Sequence, residues 1–274
     1  MPATVDFYDP AVKASFDPDD EPGATLDHVL TWNDGTLEAR HDYIQHLFPL
    51  PERSPVNPDA PIITKQIRDA FQQRPVSQTL TPFAKRAPAS QTDVLHRPLF
   101  ISSLNEDNAT LTSTSSTNQE LRHELRRAFS RMCTFYGLET HDDATTTTTT
   151  SALTIGKGVN FDHNADQTWL TSRDHNHLRI TRIIRCLRLL GLEPEARRFA
   201  LALLDADPHA IVSSTSAAFW CRAALWPLAR PPSFPREPEV RWLLSGEESE
   251  AEAGEQTEET LALDRHISRR RLSV

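Results

Sequence analysis

Glycine is scarce in this chain, with 8 residues among 274. So few flexible positions argue against phosphate-cradling loops and tight β-hairpins, both of which need backbone that tolerates positive φ. Cysteine is scarcer still. Cys133, Cys186 and Cys221 are far apart, and no two share a metal-ligand spacing such as C-x-x-C. An odd number of separated cysteines reads as free thiols in a reducing compartment. No apolar run approaches the roughly 18 residues that span a bilayer. The nearest, 217–226, is short and carries Arg222, so any membrane association is expected to be peripheral or through a partner. Residues 1–23 are acidic and proline-punctuated, without the apolar segment of a signal peptide. The G-x-S-x-G, Walker A, H-E-x-x-H and G-x-G-x-x-G motifs are absent, so the sequence offers no catalytic signature and no cofactor site.

What the chain does have is proline, 20 residues of it, and a modest 38% of hydrophobic residues. That length and composition predict one large domain with unpacked insertions and tails. The net charge of −9 is local: residues 245–263 hold seven glutamates and no lysine or arginine, and removing them leaves −2. The near-neutral remainder gives little electrostatic support to nucleic-acid binding.

Periodicity marks six helices. The first runs over 36–47, with His41, Ile44 and Phe48 on the side of Leu37, and stops at Pro49. Ile63, Ile67 and Phe71 mark a second, to about residue 74. The third spans 118–136, with Gly137 as its C′ residue. Residues 174–190 form the candidate central helix: Ile180, Ile183, Ile184, Leu187 and Leu190 fill one face, while Leu178 and Leu189 lie opposite, so it is expected to touch neighbours on two sides. Helices over 194–207 and 214–226 follow. The expectation is an all-α fold, a single compact multi-helix domain over 25–244. A disordered lead (1–24) precedes it, polar insertions interrupt it near 75–117 and 140–160, and an acidic then basic tail (245–274) follows. The threonine run 145–150 reads as insertion and not strand, because nothing alternates with it.

Two segments resemble the conserved domain of the opioid growth factor receptor family. One holds Trp32-Asn33-Asp34, Leu37-Glu38 and the stretch from His41-Asp42-Tyr43-Ile44-Gln45-His46 to Leu50. The other runs from Asn176-His177-Leu178-Arg179 through Arg182, Ile184 and Arg185 to Gly191-Leu192-Glu193. Phe135-Tyr136-Gly137 adds to the likeness, which covers roughly 26–228. The resemblance implies an all-α domain without catalytic activity, a receptor or interaction module for an enkephalin-type peptide or a protein ligand, and a place in the cytoplasm or nucleus. Animal members carry a tryptophan where this chain has His46, and repeats where it has the acidic tail.

The candidate ligand-binding residues come from these two segments: Trp32, His41, Asp42, Tyr43, Gln45, Asn176, His177, Arg179, Arg182 and Arg185. Trp32 with Tyr43 reads either as an aromatic wall for a peptide or as a plug in a helical core. His41-Asp42 matches the pair that metal-dependent phosphohydrolases of the HD type place on a helix, where imidazole and carboxylate share a divalent ion. The plainer reading packs His41 at the edge of the apolar stripe, and the expectation is that no metal is held. Arg179, Arg182, Arg185 and Arg188 recur every third residue. They read as an anion-binding strip for phosphate or a nucleic-acid backbone, or as stems covering the helix with heads paired to acidic neighbours. The glutamate run could supply those neighbours. Asp174 or Asn176 is a natural N-cap, and His177 then packs. Arg269-Arg270-Arg271 resembles a nuclear-import patch.

Overall fold

The computed structural model describes residues 26–54, 57–58, 60–72, 114–143, 152–247 and 257–274. The chain starts with three short helices: α1 (Leu26–Thr31), α2 (Asp34–Ala39) and α3 (Tyr43–Leu47). Asn33 caps α2 by accepting a hydrogen bond from the Thr36 amide, 2.8 Å. The single helix expected over 36–47 is therefore two helices with a break at residues 40–42. At Arg40 the backbone turns extended, with ψ 138°. The break turns His41 outward and Tyr43 and Ile44 into the core.

An isolated parallel bridge joins Leu50 to Ile62 ahead of α4 (Lys65–Gln72). The long α5 (Thr114–Phe135) begins four residues before the expected start. It ends at Gly137, whose φ of +81° favours glycine and where a Cβ would meet the Phe161 Cα at 2.9 Å. Most of the polar insertion near 75–117, with the cluster Leu99–Phe100–Ile101, lies outside the described residues, as do the lead and the threonine run.

The stretch expected as a polar insertion near 140–160 contains a hairpin among its described residues. Strands β1 (Leu138–Asp143) and β2 (Ala152–Lys157) pair antiparallel, from Leu138 opposite Lys157 to Asp143 opposite Ala152. Neither strand alternates cleanly. What holds the pair is tertiary: Leu138 and Leu153 join the core, β1 packs on α5 and β2 on α8. The chain continues through α6 (Phe161–Thr168), α7 (Asn176–Leu189), α8 (Glu193–Ala206) and α9 (Ser214–Leu225).

α7 is the central helix. It packs on α8 and α9, and Ile180, Ile183, Ile184, Leu187 and Leu189 are all buried. Leu178 is the exception to two-sided packing, since it is 68% exposed. The helix stops where expected: Gly191 has φ +81°, and the Leu192 amide reaches back to the Leu187 carbonyl at 2.7 Å. Phe129 of α5 meets Phe199 of α8 edge to face, ring centroids 5.2 Å apart. The segments around Tyr43 and Ile184 belong to one continuous apolar cluster. The fold is thus mainly helical, with a two-stranded sheet at its side.

Within residues 245–274, read from the sequence as an acidic then basic tail, Leu263 and Leu272 join that cluster. After α10 (Arg241–Glu247), α11 (Glu258–Arg270) packs on α8 and α9 and buries Leu263 and His266. Its polar face conceals the anchor. Arg270 donates to Asp207 Oδ2 at 2.9 Å and to the Leu204 carbonyl at 2.9 Å, closing the C-terminal end of α8.

Candidate functional site

A helix leaves its last carbonyls without intrahelical donors, and a guanidinium can supply several N–H groups at once. α7 uses its arginines in this way. Arg179 donates to the carbonyls of Leu37 (3.3 Å) and Arg40 (2.9 Å), at the end of α2, and to Asn176 Oδ1 (3.0 Å). Arg182 donates to the Phe48 carbonyl, at the end of α3, 3.1 Å away. Arg185 reaches the Arg230 carbonyl (3.1 Å) and Glu52 (2.5 Å). Arg188 takes the carbonyls of Ala223 (3.0 Å) and Trp226 (2.8 Å), at the end of α9, and pairs with Glu193. Burial pulls the Arg188 pKa down to about 10, with Glu193 working the other way.

The strip is therefore directed inward. Arg179, Arg185 and Arg188 are buried and Arg182 is half-buried, so the four guanidinium groups hold loops and helix ends against α7. Of the glutamate run, Glu259 pairs with Arg198 at 3.1 Å, away from the strip. Nor are Arg269, Arg270 and Arg271 one continuous exposed patch, because Arg270 is turned into α8.

Around the outer end of Arg179 the structure gathers a polar surface patch. Its Nη2 lies 2.5 Å from His41 Nδ1. A guanidinium only donates, so Nδ1 is an acceptor and any ring proton of neutral His41 sits on Nε2. The His41 ring stands edge to face with His175, centroids 5.2 Å apart. Glu38 binds both sides of the patch: Oε1 is 3.0 Å from His175 Nε2, and Oε2 accepts from Asn176 Nδ2 at 3.0 Å. Asp174 caps α7 through the Asn176 amide at 2.7 Å and lies 3.5 Å from His175 Nδ1. Leu178, one turn further along α7, stands beside this cluster in the chain with its side chain in solvent.

Beneath the patch the polar groups are satisfied internally. Asn176 Nδ2 also donates to the Thr168 carbonyl at 3.0 Å. His177 Nε2 donates to the Trp169 carbonyl at 2.8 Å, which leaves Nδ1 to accept from Ser216 Oγ at 2.9 Å. Trp220 Nε1 donates to the His177 carbonyl, and Trp169 Nε1 to that of Tyr136, both at 3.0 Å. These bonds tie α7 to α6 and α9 and fix the ring of every buried partner.

The predicted residues thus divide into surface and pedestal. His41 is exposed, and Asp42 and Trp32 are half-buried. Tyr43 is fully buried, with its hydroxyl 3.8 Å from Met132 Sδ and its pKa pushed up to about 12 by burial, against the pull of Arg179. Trp32 meets Tyr43 edge to face at 5.9 Å, and the Arg40 guanidinium lies 5.0 Å from the Trp32 ring centroid. The aromatic pair is a plug and not an open wall. Gln45 is buried, and its amide is assigned with the nitrogen toward the carbonyls of Asp42 (2.7 Å) and His41 (3.0 Å), the orientation in which it donates to both. Asn176, His177, Arg179 and Arg185 are buried as described, and Arg182 faces Phe48.

The sequence reading selected neither Glu38 nor His175 for the site, and placed Leu178 in a packing face. The helical offset of one turn between Asp174 and Leu178 was the available signal. A metal pair at His41-Asp42 finds no support in this geometry. His41 Nδ1 faces a guanidinium, and among the described residues no group of three or more His, Cys, Asp or Glu side chains could hold a metal ion. Among the described residues, too, no helix is long and apolar enough to cross a membrane.

Fold and site define a mainly helical scaffold domain whose central helix anchors the N-terminal loops and carries a small polar surface patch. The conserved region of the opioid growth factor receptor (OGFr) matches residues 3–81 and 99–216, most of the chain, and the chain belongs to that family. It is similar to the opioid growth factor receptors of Homo sapiens, 28% identical over 174 residues, and of Rattus norvegicus and Mus musculus, each 29% identical over 177. Each match covers 62% of this chain but only 18%, 21% and 19% of the human, rat and mouse proteins, so the shared stretch is about a fifth of those receptors. No solved structure matches the chain.

Proposed function

We propose that this chain is a receptor-like interaction module that binds a peptide or protein ligand through the patch formed by His41, His175, Glu38 and Leu178, without catalysing a reaction. One observation carries the reading: an exposed imidazole pair and an exposed leucine stand on a base of buried hydrogen bonds that no ligand is needed to satisfy. A rigid base of that kind lowers the ordering cost of binding. Support also comes from the naming of the relatives as receptors for an opioid growth factor. The buried members of the candidate set, Tyr43, Gln45, Asn176, His177, Arg179 and Arg185, together with half-buried Arg182, act in this reading by holding the patch in place. A nuclear or perinuclear address is proposed from the family alone, and imaging of the tagged chain would test it.

Isothermal titration of the purified chain with an enkephalin pentapeptide tests the narrow version. Expected is a saturable heat that disappears in the His41→Ala/Leu178→Asp double variant, with the thermal midpoint of the variant within a few degrees of the parent. No heat at high micromolar peptide would remove the enkephalin. The wider reading is tested by selecting binders from a random peptide library and counter-selecting on the same double variant. Failure to recover any peptide sensitive to those two changes would end it.

A further inference from the structure

Docking of α11 hides part of a sequence pattern that has a use of its own. The helix ends in Arg270 and Arg271, and Leu272, Ser273 and Val274 follow. Two guanidinium groups two and three residues before a hydroxyl, with an apolar residue after it, suit the groove of an arginine-directed protein kinase. Carboxylates in such a groove hold the planar forks of the arginines, and charge pattern sets the choice of substrate. We propose that Ser273 is a phosphorylation site for an arginine-directed serine/threonine kinase, and that docking of α11 on α8 controls access to it.

The acceptor end of the pattern is available in the fold. Ser273 is exposed and Val274 is 40% exposed, while Arg271 projects from a left-handed turn with φ 52°. The recognition end is not. Arg270 keeps only 9% of its side chain in solvent, because Asp207, itself fully buried, holds it. Asp207 Oδ2 and carbonyl both accept from Arg270, and Leu204 supplies a third acceptor. Leu272 is buried beside it. A kinase groove reads an extended segment, whereas 270–272 are curled back at a helix end and pinned, with the Ser273 carbonyl held by Arg222. These residues must leave α8 and α9 before both arginines can be read together.

The chemistry asks only a hydroxyl of this chain. Ser273 Oγ attacks the γ-phosphorus of ATP, and an O–P bond forms as the bond to the β,γ-bridging oxygen breaks. ADP leaves with that electron pair, and the hydroxyl proton passes to a carboxylate of the kinase. Arginine also stands three residues before Ser77, Ser130, Thr134, Ser233 and Ser268, but none of these has a second arginine two residues before it, and Ser268 sits inside α11.

The test incubates the full chain with ATP and the isolated catalytic subunit of an arginine-directed kinase, follows intact mass and locates the modification by fragmentation. Expected is one phosphate on Ser273, none in Ser273→Ala, and an initial rate roughly tenfold lower in Arg271→Ala, as loss of one charged contact gives. Leu263→Ala loosens α11 without touching the pattern and is expected to raise the rate several-fold. Asp205→Asn, which weakens the 2.8 Å contact with His266, serves as a second loosened variant that leaves the core unchanged. No phosphate, or phosphate on another hydroxyl such as Ser233 or Ser268 with Ser273 unmodified, overturns the site. Rates equal to the parent in both loosened variants, with α11 amides exchanging faster in each, overturn the control by docking.

Discussion

At the scale of single residues, Arg179 shows why a basic helix can be an interior one. Its fork meets the carbonyls of Leu37 and Arg40, the amide oxygen of Asn176 and the imidazole of His41 in one plane of donors. A lysine carries equal charge but cannot meet acceptors spread in this way. Arg179→Lys is therefore expected to lose nearly as much stability as Arg179→Ala, about 3 kcal/mol, since either change leaves buried acceptors unpaired. Urea unfolding measures it, and a lysine variant as stable as the parent would show that charge, not the fork, is what matters. His46 supplies the pH-dependent counterpart. Burial lowers its pKa below the ordinary value, with Asp42 pulling the other way. The unfolded chain then takes up the proton first, so stability is complete above pH ~6.5 and is lost as pH falls from there toward the folded value. Comparing unfolding midpoints at pH 7.5 and pH 5 should give a smaller loss for His46→Gln than for the parent. Of these roles, the sequence displayed the three-residue spacing of the arginines but not their targets. Those targets include backbone carbonyls 35 to 142 positions away, which no side-chain pattern records.

At the scale of elements, the helices legible in the sequence are those with a full apolar face. α5, α7, α8 and α9 lie within a few residues of where periodicity puts them, because Leu121, Leu125, Ile180, Ile184, Phe199 and Trp220 are core residues by type as well as by place. α1, α6 and α11 were missed: each buries only two or three side chains and owes its position to contacts across the fold. The hairpin was missed for the same reason, since among the described residues Leu138 and Leu153 are its buried core members, with Ile155 packed against them at the edge of the cluster. α11 is the clearest case of an element held by polar latches. Asp207 accepts from the amides of Ile211 (2.8 Å) and Val212 (3.2 Å) as well as from Arg270. Asp207→Ala should strip the latch and the loop together, costing about 3 kcal/mol. Hydrogen exchange should show α11 amides losing protection before those of α7. Uniform loss across both helices would mean that α11 has no separate opening step.

At the scale of the whole molecule, the apolar cluster encloses all three cysteines. Burial raises the thiol pKa of each, that of Cys221 to about 12. The native protein is expected to give almost no reaction with an aromatic disulfide reagent at pH 8, and three equivalents in strong denaturant. A fast native equivalent would place one thiol outside the core. The overall fold class was the most legible property, because it depends on the sum of many periodic segments. The patch was the least, because it is assembled from α2, the 40–42 break and the start of α7, and Arg179 holds the break from 139 positions away.

The hairpin has one further consequence, for how this gene product tolerates change. Asp143 and Ala152, between which the threonine run falls in the sequence, are paired in a ladder whose register is set from Leu138 onward. Codon repeats lengthen and shorten readily, and a run of like residues is where that occurs. Doubling such a connection adds only about 0.6 kcal/mol of closure entropy. Alleles differing in threonine number should therefore share one core and one stability.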